Sequence, residues 1–260
     1  MNLTNMNIYL AGSGNVAWHL VYVFAKAGLP VKGIWGRNSD AVNQISKKRA
    51  IPVIPEEQFF SLPGIFLLAV SDHAIEEITM RFTHKDIILV HTAGSVSLNV
   101  LKQKAVRCGV FYPLQTFSKN RDIHFSGIPV FIEGSDSVVE KLLLHWADVL
   151  HAEKHISNSE QRLNIHIAGV FANNFINYML SCAEIWLQEN HLDRDILKPL
   201  ILETVQKAME QGAINSQTGP AVRQDCLTIE KHLQQLEHYP DLKNLYSFVT
   251  ESIVRFYTKK

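Results

Sequence analysis

The chain has 260 residues, of which 47% are hydrophobic and 19% charged, as in ordinary globular proteins with one large or two modest domains. Its 25 Lys and Arg residues balance 25 Asp and Glu residues, so net charge gives no attraction to nucleic acid or to an anionic membrane. The three cysteines are far apart in sequence, and neither a secretory signal pattern nor a bilayer-length apolar run is visible. We therefore expect a cytoplasmic protein with no nucleic-acid partner, no membrane partner and no metal site.

The first predicted element is a short apolar strand, residues 8–11, which leads into Gly12-x-Gly14-x-x-Ala17 and an amphipathic helix over residues 16–26. In a dinucleotide-binding unit the first glycine makes the tight turn, and the second lets the backbone approach a pyrophosphate. The third small residue lets helix and strand pack closely, and the N–H groups at the helix start face the phosphates. The predicted cofactor contacts are Gly12, Ser13, Gly14, Asn15 and Val16. The alternative is a purely structural glycine turn.

The second predicted strand, residues 31–35, indicates which dinucleotide fits. An NAD site usually carries Asp or Glu at the tip of this strand. Here Arg37 follows the strand, and Asp40 comes only where the next helix begins. The Arg37 guanidinium can bind the 2′-phosphate of NADP through paired hydrogen bonds, and Asn38 and Ser39 add neutral donors. We predict NADP as the cofactor; the alternative is an exposed arginine beside an ordinary helix cap.

Two further apolar strands, residues 65–70 and 87–91, end in small and polar residues. Ligands of open α/β sheets bind at the carboxyl ends of the strands, so these ends should face the nicotinamide half of the cofactor. The predicted contacts are Val70, Ser71, Asp72 and Thr92. Taken alone, Asp72 fits better as the N-cap of a helix over residues 74–82. His91 fits a site role and a structural role equally well.

Strands and helices alternate through the first half of the chain, which predicts an α/β fold with a mostly parallel sheet. The remaining predicted strands are residues 52–54, 107–111 and 129–132. A helix capped by Ser135-Asp136-Ser137 should run through Leu150. After about residue 156 only helical patterns remain, including residues 160–190 and 193–211. We predict two domains, residues 1–154 for the cofactor and residues 155–260, all helical, for substrate binding and dimerisation.

The helix predicted over residues 160–190 carries Arg162, His166, Asn173 and Asn177 at offsets of 0, 4, 11 and 15, close to one helical face. Polar residues inside an apolar pattern must be paired, solvated or functional. Each of these residues, considered alone, is better explained as a solvated or hydrogen-bonded side chain. As a set that faces a cofactor cleft, they favour a functional role. We predict His166 and Asn173 as catalytic residues, the first for proton transfer and the second for positioning the reacting group.

Several segments of the chain also match the motifs of one family. The matching residues are Gly12–Ala17, Asp72 with Ile75, His91–Gly94, Pro113–Phe117, Arg162, His166, Ala168, Asn173, Asn174, Thr218–Pro220, Arg223, Asp225, Thr228 and His232. On these motifs the chain resembles a group of two-domain proteins assigned as NADP oxidoreductases, with a Rossmann-like N-terminal domain and a helical C-terminal domain of unknown function. More distantly it is similar to pyrroline-5-carboxylate reductase and to deazaflavin-dependent NADP reductase.

The resemblance implies hydride transfer between NADP(H) and a small substrate in a cleft between the domains of a homodimer, with the nicotinamide near Ser71 and Thr92. Tyr112 stands where the family's His-Pro-Leu-Gln-Thr-Phe segment has its histidine. Arg223 could hold a substrate carboxylate, although a structural pair with Asp225 fits better. The alternative function is an NADP(H)-binding sensor or partner-binding protein without turnover. The family's own reaction is undefined, so the sequence does not name the substrate.

Overall fold

A computed structural model describes residues 6–259, and within them a seven-stranded sheet has the order β2-β1-β3-β4-β5-β6-β7. The strands are β1 (Ile8–Ala11), β2 (Val31–Trp35), β3 (Gly64–Leu68), β4 (Ile87–His91), β5 (Arg107–Pro113), β6 (Pro129–Gly134) and β7 (Glu153–Ile156). Neighbouring strands are parallel except for β5 and β6, which are antiparallel. The predicted fold class, a mostly parallel Rossmann-like sheet with a helical part after it, is confirmed.

Helices cover the sheet and make up the C-terminal part of the described chain. They are α1 (Asn15–Lys26), α2 (Ser39–Arg49), α3 (Glu56–Phe59), α4 (Ile75–Met80), α5 (Asn99–Lys102), α6 (Ser137–Val149), α7 (Ser159–Gly169), α8 (Ile176–Glu189), α9 (Lys198–Gln211), α10 (Ala213–Ser216), α11 (Cys226–Gln235) and α12 (Pro240–Thr258). A π-helical segment, Val170–Phe175, joins α7 to α8. As predicted, Asp136 caps α6, accepting hydrogen bonds from the N–H groups of Val138 and Val139 at 2.8 and 2.9 Å.

The parallel register brings the carboxyl ends of the central strands to one edge of the sheet. Ala11 of β1 lies opposite Leu68 of β3, and Leu68 lies opposite His91 of β4. Because the chain crosses from one side of β1 to the other between β2 and β3, a crevice opens at this edge. The loops that carry the predicted cofactor residues therefore leave the sheet side by side.

Alternating side chains of the strands feed two hydrophobic cores, one on each face of the sheet. Ile8 and Leu10 belong to one core, and Tyr9 and Ala11 belong to the other. The first core packs α1 and α6 through edge-to-face contacts among the rings of Phe24, Phe111 and Trp146. Burial on both faces holds the central strands, and with them the edge loops, in fixed positions.

Two elements of the sheet differ from the sequence prediction by more than the position of a strand end. Residues 52–54 form only an isolated bridge, Val53 to Ile34, because the flanking prolines Pro52 and Pro55 have no N–H to donate. The structure adds β7, which pairs with β6; its polar Glu-Lys-His-Ile sequence lacks an apolar strand pattern because β7 is an exposed edge.

The chain divides into two compact units between Asn174 and Phe175. The boundary predicted after residue 154 falls inside the first unit, since β7 belongs to the sheet. The helix predicted over residues 160–190 is helical throughout residues 159–189, but the division of units falls within its π-helical segment.

The second unit consists of helices α8 to α12, and its apolar side chains are poorly covered. Of its described residues, only Leu187 and Ala221 are buried. Large apolar side chains stand exposed on several helices, among them Leu202, Met209 and Leu227 at 70%, 81% and 74%. Within residues 6–259 no helix combines the length and apolar character that crossing a membrane requires.

Candidate active site

The glycine loop after β1 has the backbone geometry that its sequence predicts. Gly12 has a φ of +132°, and a Cβ there would stand 2.1 Å from the carbonyl oxygen of Ala69, so only glycine fits. A Cβ on Gly14 would have no neighbour within 4 Å, so its Cα faces open space at the start of α1. Ala17 is fully buried between helix and sheet. Close packing on one side and open space on the other form a cradle for an anionic group at the helix N-terminus.

A cavity of about 500 Å³ opens above this loop, and we call it the glycine-loop cavity. The predicted cofactor residues that line it are Gly12, Ser13, Gly14, Asn15, Val16, Arg37, Asn38, Val70, Ser71, Asp72 and Thr92. Ser39, the first residue of α2, does not line the cavity. The size falls in the range of small-molecule sites, and the carboxyl ends of five strands, β1 to β5, contribute to its wall.

The Arg37 loop gives this cavity a cation at one end. The Arg37 guanidinium lies 3.5 Å from the Glu77 carboxylate, and both side chains are more than half exposed. Asn38 caps α2 by accepting the N–H of Ala41 at 3.0 Å, which leaves its amide N–H groups free of that role. An exposed ion pair of this kind contributes little to stability, so an incoming phosphate can compete with Glu77 for the guanidinium.

Asp72 does not cap the helix that follows it, contrary to its simplest interpretation from sequence. Ser71 occupies the cap position of the short Asp72–Ala74 turn, without a capping side-chain hydrogen bond. The Asp72 carboxylate instead accepts a hydrogen bond from the Ser95 hydroxyl, which joins the loops after β3 and β4. A negative charge is thereby fixed in the wall of the glycine-loop cavity.

His91 is a core residue at the end of β4, so the structure favours its structural role. It is fully buried, and its Nδ1 accepts the N–H of Ala93 at 3.2 Å. Burial, reinforced by the Arg162 charge, lowers the pKa of His91 from 6.5 to about 3. A neutral ring therefore shapes the turn through Thr92 and Gly94 without titrating at physiological pH.

Tyr112 and His166 form a pair in the wall of the cavity. The Tyr112 hydroxyl and His166 Nδ1 are 3.1 Å apart, and the tautomer of the ring decides which group donates. A Cβ on Gly94 would stand 2.7 Å from His166 Nδ1 and 2.8 Å from Tyr112 Cζ, so the pair packs on the bare glycine backbone. Burial, assisted by the Asp72 charge, raises the pKa of Tyr112 and keeps its hydroxyl protonated.

A second cavity of about 490 Å³ shares Asn15, Val16, Thr92, Tyr112 and His166 with the first, and we call it the amide cavity. Its further polar side chains are Gln115, Thr116, Asn173 and Asn174. The two residues predicted to be catalytic, His166 and Asn173, therefore line the same cavity, next to the loop predicted to hold the cofactor.

Arg162 does not belong to this polar wall, although the sequence placed it on the same helical stripe. Its side chain is completely buried, where it contacts the Glu133 carboxylate and the Val96 carbonyl oxygen. The stripe is also interrupted by the π-helical segment, and Asn177 lies in the second unit. Arg162 is thus a structural ion that fastens α7 to β6.

Sequence reasoning missed three residues of the site. Gly94 carries the Tyr112–His166 pair, Glu77 holds Arg37, and Ser95 holds Asp72. The only sequence signal for Gly94 was its position within the His91–Gly94 family motif. The partners of Arg37 and Asp72 come from other loops, which no local pattern can reveal.

In the second unit, Asp225 has a structural role at the start of α11. The Asp225 carboxylate caps this helix, accepting from the N–H of Thr228 at 3.1 Å and from its hydroxyl at 2.8 Å. These hydrogen bonds, the hydroxyl's foremost, lower the pKa of Asp225. Arg223 acts on that carboxylate only through its charge.

The whole chain is similar in sequence and structure to a protein of known structure. It shares 31% identity and a TM-score of 0.91 with a protein titled putative NADP oxidoreductase from Bacteroides fragilis, over 98% of this chain and 100% of that one. The chain belongs to the family of this protein. Residues 128–253 match the family model of a domain of unknown function, DUF2520, so the resemblance inferred from the motifs is confirmed.

More distant structures share the fold of this family. A pyrroline-5-carboxylate reductase from Coxiella burnetii is 18% identical with a TM-score of 0.57, over 98% of both chains. A reductive aminase from Aspergillus terreus, solved with NADPH and ethyl-5-oxohexanoate, is 12% identical with a TM-score of 0.68, over 97% of this chain and 94% of that one. No curated protein matches the sequence. At these identities the likeness is one of fold.

Proposed function

We propose that the protein is an NADP(H)-dependent oxidoreductase that transfers a hydride between NADP(H) and a small substrate. The observation that carries the proposal is the shared wall of the two cavities. Tyr112 and His166 separate a glycine-loop cavity suited to a dinucleotide from an amide cavity suited to a small molecule. The family relative from Bacteroides fragilis, described as a putative NADP oxidoreductase, supports the same reaction class.

The first unit offers complementary groups for three parts of the cofactor. The open backbone of Gly14 at the start of α1 fits the pyrophosphate, and Arg37 fits the 2′-phosphate once Glu77 is displaced. Val70, Ser71 and Thr92 would contact the nicotinamide half. When bound, the nicotinamide supplies the hydride, while the protein places the substrate and moves the proton.

We assign the proton to His166 and the positioning of the reacting group to Asn173. If the Tyr112 hydroxyl donates to His166 Nδ1, the ring carries its own hydrogen on Nε2, the nitrogen left to exchange a proton with substrate. Asn173 is exposed, and its side chain makes no hydrogen bond with any residue between 6 and 259, so its amide can bind substrate.

Loss of NADPH absorbance with a panel of imines, semialdehydes, 2-oxo acids and a deazaflavin tests turnover. We expect at least one class to be reduced, with His166→Gln lowering kcat by about 10²-fold or more and leaving the Kd of NADPH within threefold. Tyr112→Phe should lower kcat, since the ring loses the Nδ1 partner that fixes its tautomer. NADPH binding without turnover across the panel would instead support a sensor.

We further propose a homodimer in which a second copy covers the helical unit. The support is the exposure of its apolar side chains, with only Leu187 and Ala221 buried among the residues described there. A helical unit of this size needs more buried apolar surface to be stable. The cytoplasmic location stays a prediction from the sequence.

A further inference from the structure

The amide cavity differs from the glycine-loop cavity in its charge. None of the described residues that line it is Asp, Glu, Lys or Arg. Its polar side chains are carboxamides, hydroxyls and one imidazole; besides Asn15 and Thr92 they are those of Tyr112, Gln115, Thr116, His166, Asn173 and Asn174. A carboxamide offers an acceptor as well as donors, so this wall matches ligands that do both.

The carboxamides are also free to bind. Between residues 6 and 259, neither Asn173 nor Asn174 makes a side-chain hydrogen bond. Gln115 uses its carbonyl oxygen to accept the N–H of Thr116 at 2.7 Å, and its NH₂ group is left for a ligand. Three amide groups therefore face one cavity with hydrogen-bonding capacity unused.

A fixed negative charge acts on the wall that the two cavities share. Asp72 lines the glycine-loop cavity together with Tyr112 and His166, and its charge helps to raise the pKa of Tyr112. The buried Arg162 is compensated by its contact with Glu133. An anionic substrate would lose water here without meeting a cation and would face the Asp72 carboxylate.

We propose that the amide cavity binds an uncharged, hydrogen-bonding substrate, such as a carbonyl or imine compound bearing amide or hydroxyl groups, and discriminates against carboxylates. The proposal rests on the proposed function, because it takes this cavity as the substrate site. It narrows the substrate class by excluding small carboxylates such as 2-oxo acids and pyrroline carboxylates.

Acetamide and acetate are matched probes for this cavity, equal in size and different in charge. Saturation-transfer NMR of each probe with the full-length protein and saturating NADP⁺ at pH 7.5 measures binding without turnover. We expect a saturable acetamide signal and an affinity for acetate at least tenfold weaker. Equal or tighter binding of acetate would overturn the proposal, and so would the absence of a signal from acetamide.

Gln115→Arg places a cation in the cavity and should reverse the preference toward acetate. Gln58→Arg adds the same charge on the exposed surface of α3 and should leave the preference unchanged. An unchanged preference in Gln115→Arg would contradict binding at the amide cavity. NADPH affinity, measured by fluorescence on the same samples, separates the two ideas: its absence defeats the proposed function, whereas acetate binding beside intact NADPH binding defeats only the substrate class.

Discussion

The two glycines of the loop after β1 have different roles: one is required by the fold, and the other leaves space for a ligand. Gly12 has a φ of +132° and lies against the Ala69 carbonyl oxygen, whereas Gly14 has an ordinary φ of −77° and open space beside it. The conformation of Gly12 and the packing of the loop explain why it must be glycine. The open space at Gly14 leaves room for the phosphate of the proposed cofactor.

Gly12→Ala and Gly14→Ala form a matched pair that tests this division. Gly12→Ala should lower the free energy of unfolding by more than about 2 kcal/mol, since the methyl group meets backbone in a strained conformation. Gly14→Ala should cost less than about 1 kcal/mol but raise the Kd of NADPH at least tenfold. Urea denaturation and NADPH fluorescence measure the two effects; tight NADPH binding by Gly14→Ala would refute the assignment.

Arg162 shows how far a residue pattern can mislead. Periodicity placed it on a functional stripe, yet its charge is buried against Glu133. Arg162→Met should destabilise the protein by about 3–5 kcal/mol, because the partly buried Glu133 carboxylate would lose its countercharge. Adding Glu133→Gln should recover part of that loss in chemical denaturation. A single mutant as stable as the wild type would show that the pair is not structural.

Among the secondary-structure elements, most strands were predicted from the sequence with nearly their observed bounds. The predictions failed for an edge strand and for a helical segment that leave no local pattern in the sequence. β1, β2 and β4 were predicted with their observed bounds. β1 and β4 are apolar runs buried on both faces of the sheet, whereas the edge strand β2 was marked by its β-branched and aromatic residues. β7 was missed because an exposed edge strand needs no apolar run. The π-helical segment was missed because one extra residue in a helical turn leaves no mark in the pattern.

The stability of the protein should depend on pH through His91, which lies at the end of β4. Its pKa is about 3 in the folded chain and 6.5 in the unfolded chain, so between these pH values the unfolded chain binds the additional proton. The free energy of unfolding should therefore fall with falling pH, by up to about 1.4 kcal/mol for each pH unit below 6.5.

His91→Asn tests this effect, because its side-chain oxygen can still accept the Ala93 N–H. Urea denaturation of wild type and variant at pH 7 and pH 5 compares their pH dependence. We expect the wild type to lose about 2 kcal/mol more than the variant over this interval. Equal losses would mean that His91 takes no part in the acid sensitivity.

For the whole molecule, the sequence predicted the α/β class and the family, and both are confirmed. The division into units was harder to predict, because helical character begins at Ser159 while the first compact unit continues to Asn174. Helix propensity in the sequence indicates where a helix begins. Packing contacts, which the sequence pattern does not show, decide to which compact unit that helix belongs.

Self-association is the prediction at this scale. Sedimentation velocity should give a dimer at micromolar concentration, and Leu202→Glu with Leu227→Glu should shift it toward monomer and lower its stability. Charges added at the exposed Gln58 should leave the dimer intact. A monomeric wild type across this range would exclude the proposed homodimer.

The central claim, an NADP(H) site in the first unit, is tested most directly by titrating NADPH and NADH into wild type and Arg37→Ala and following nicotinamide fluorescence. The account predicts that wild type binds NADPH at least tenfold more tightly than NADH and that Arg37→Ala loses this preference while keeping its NADH affinity. Equal affinities in the wild type, or an unchanged preference in the variant, would contradict it.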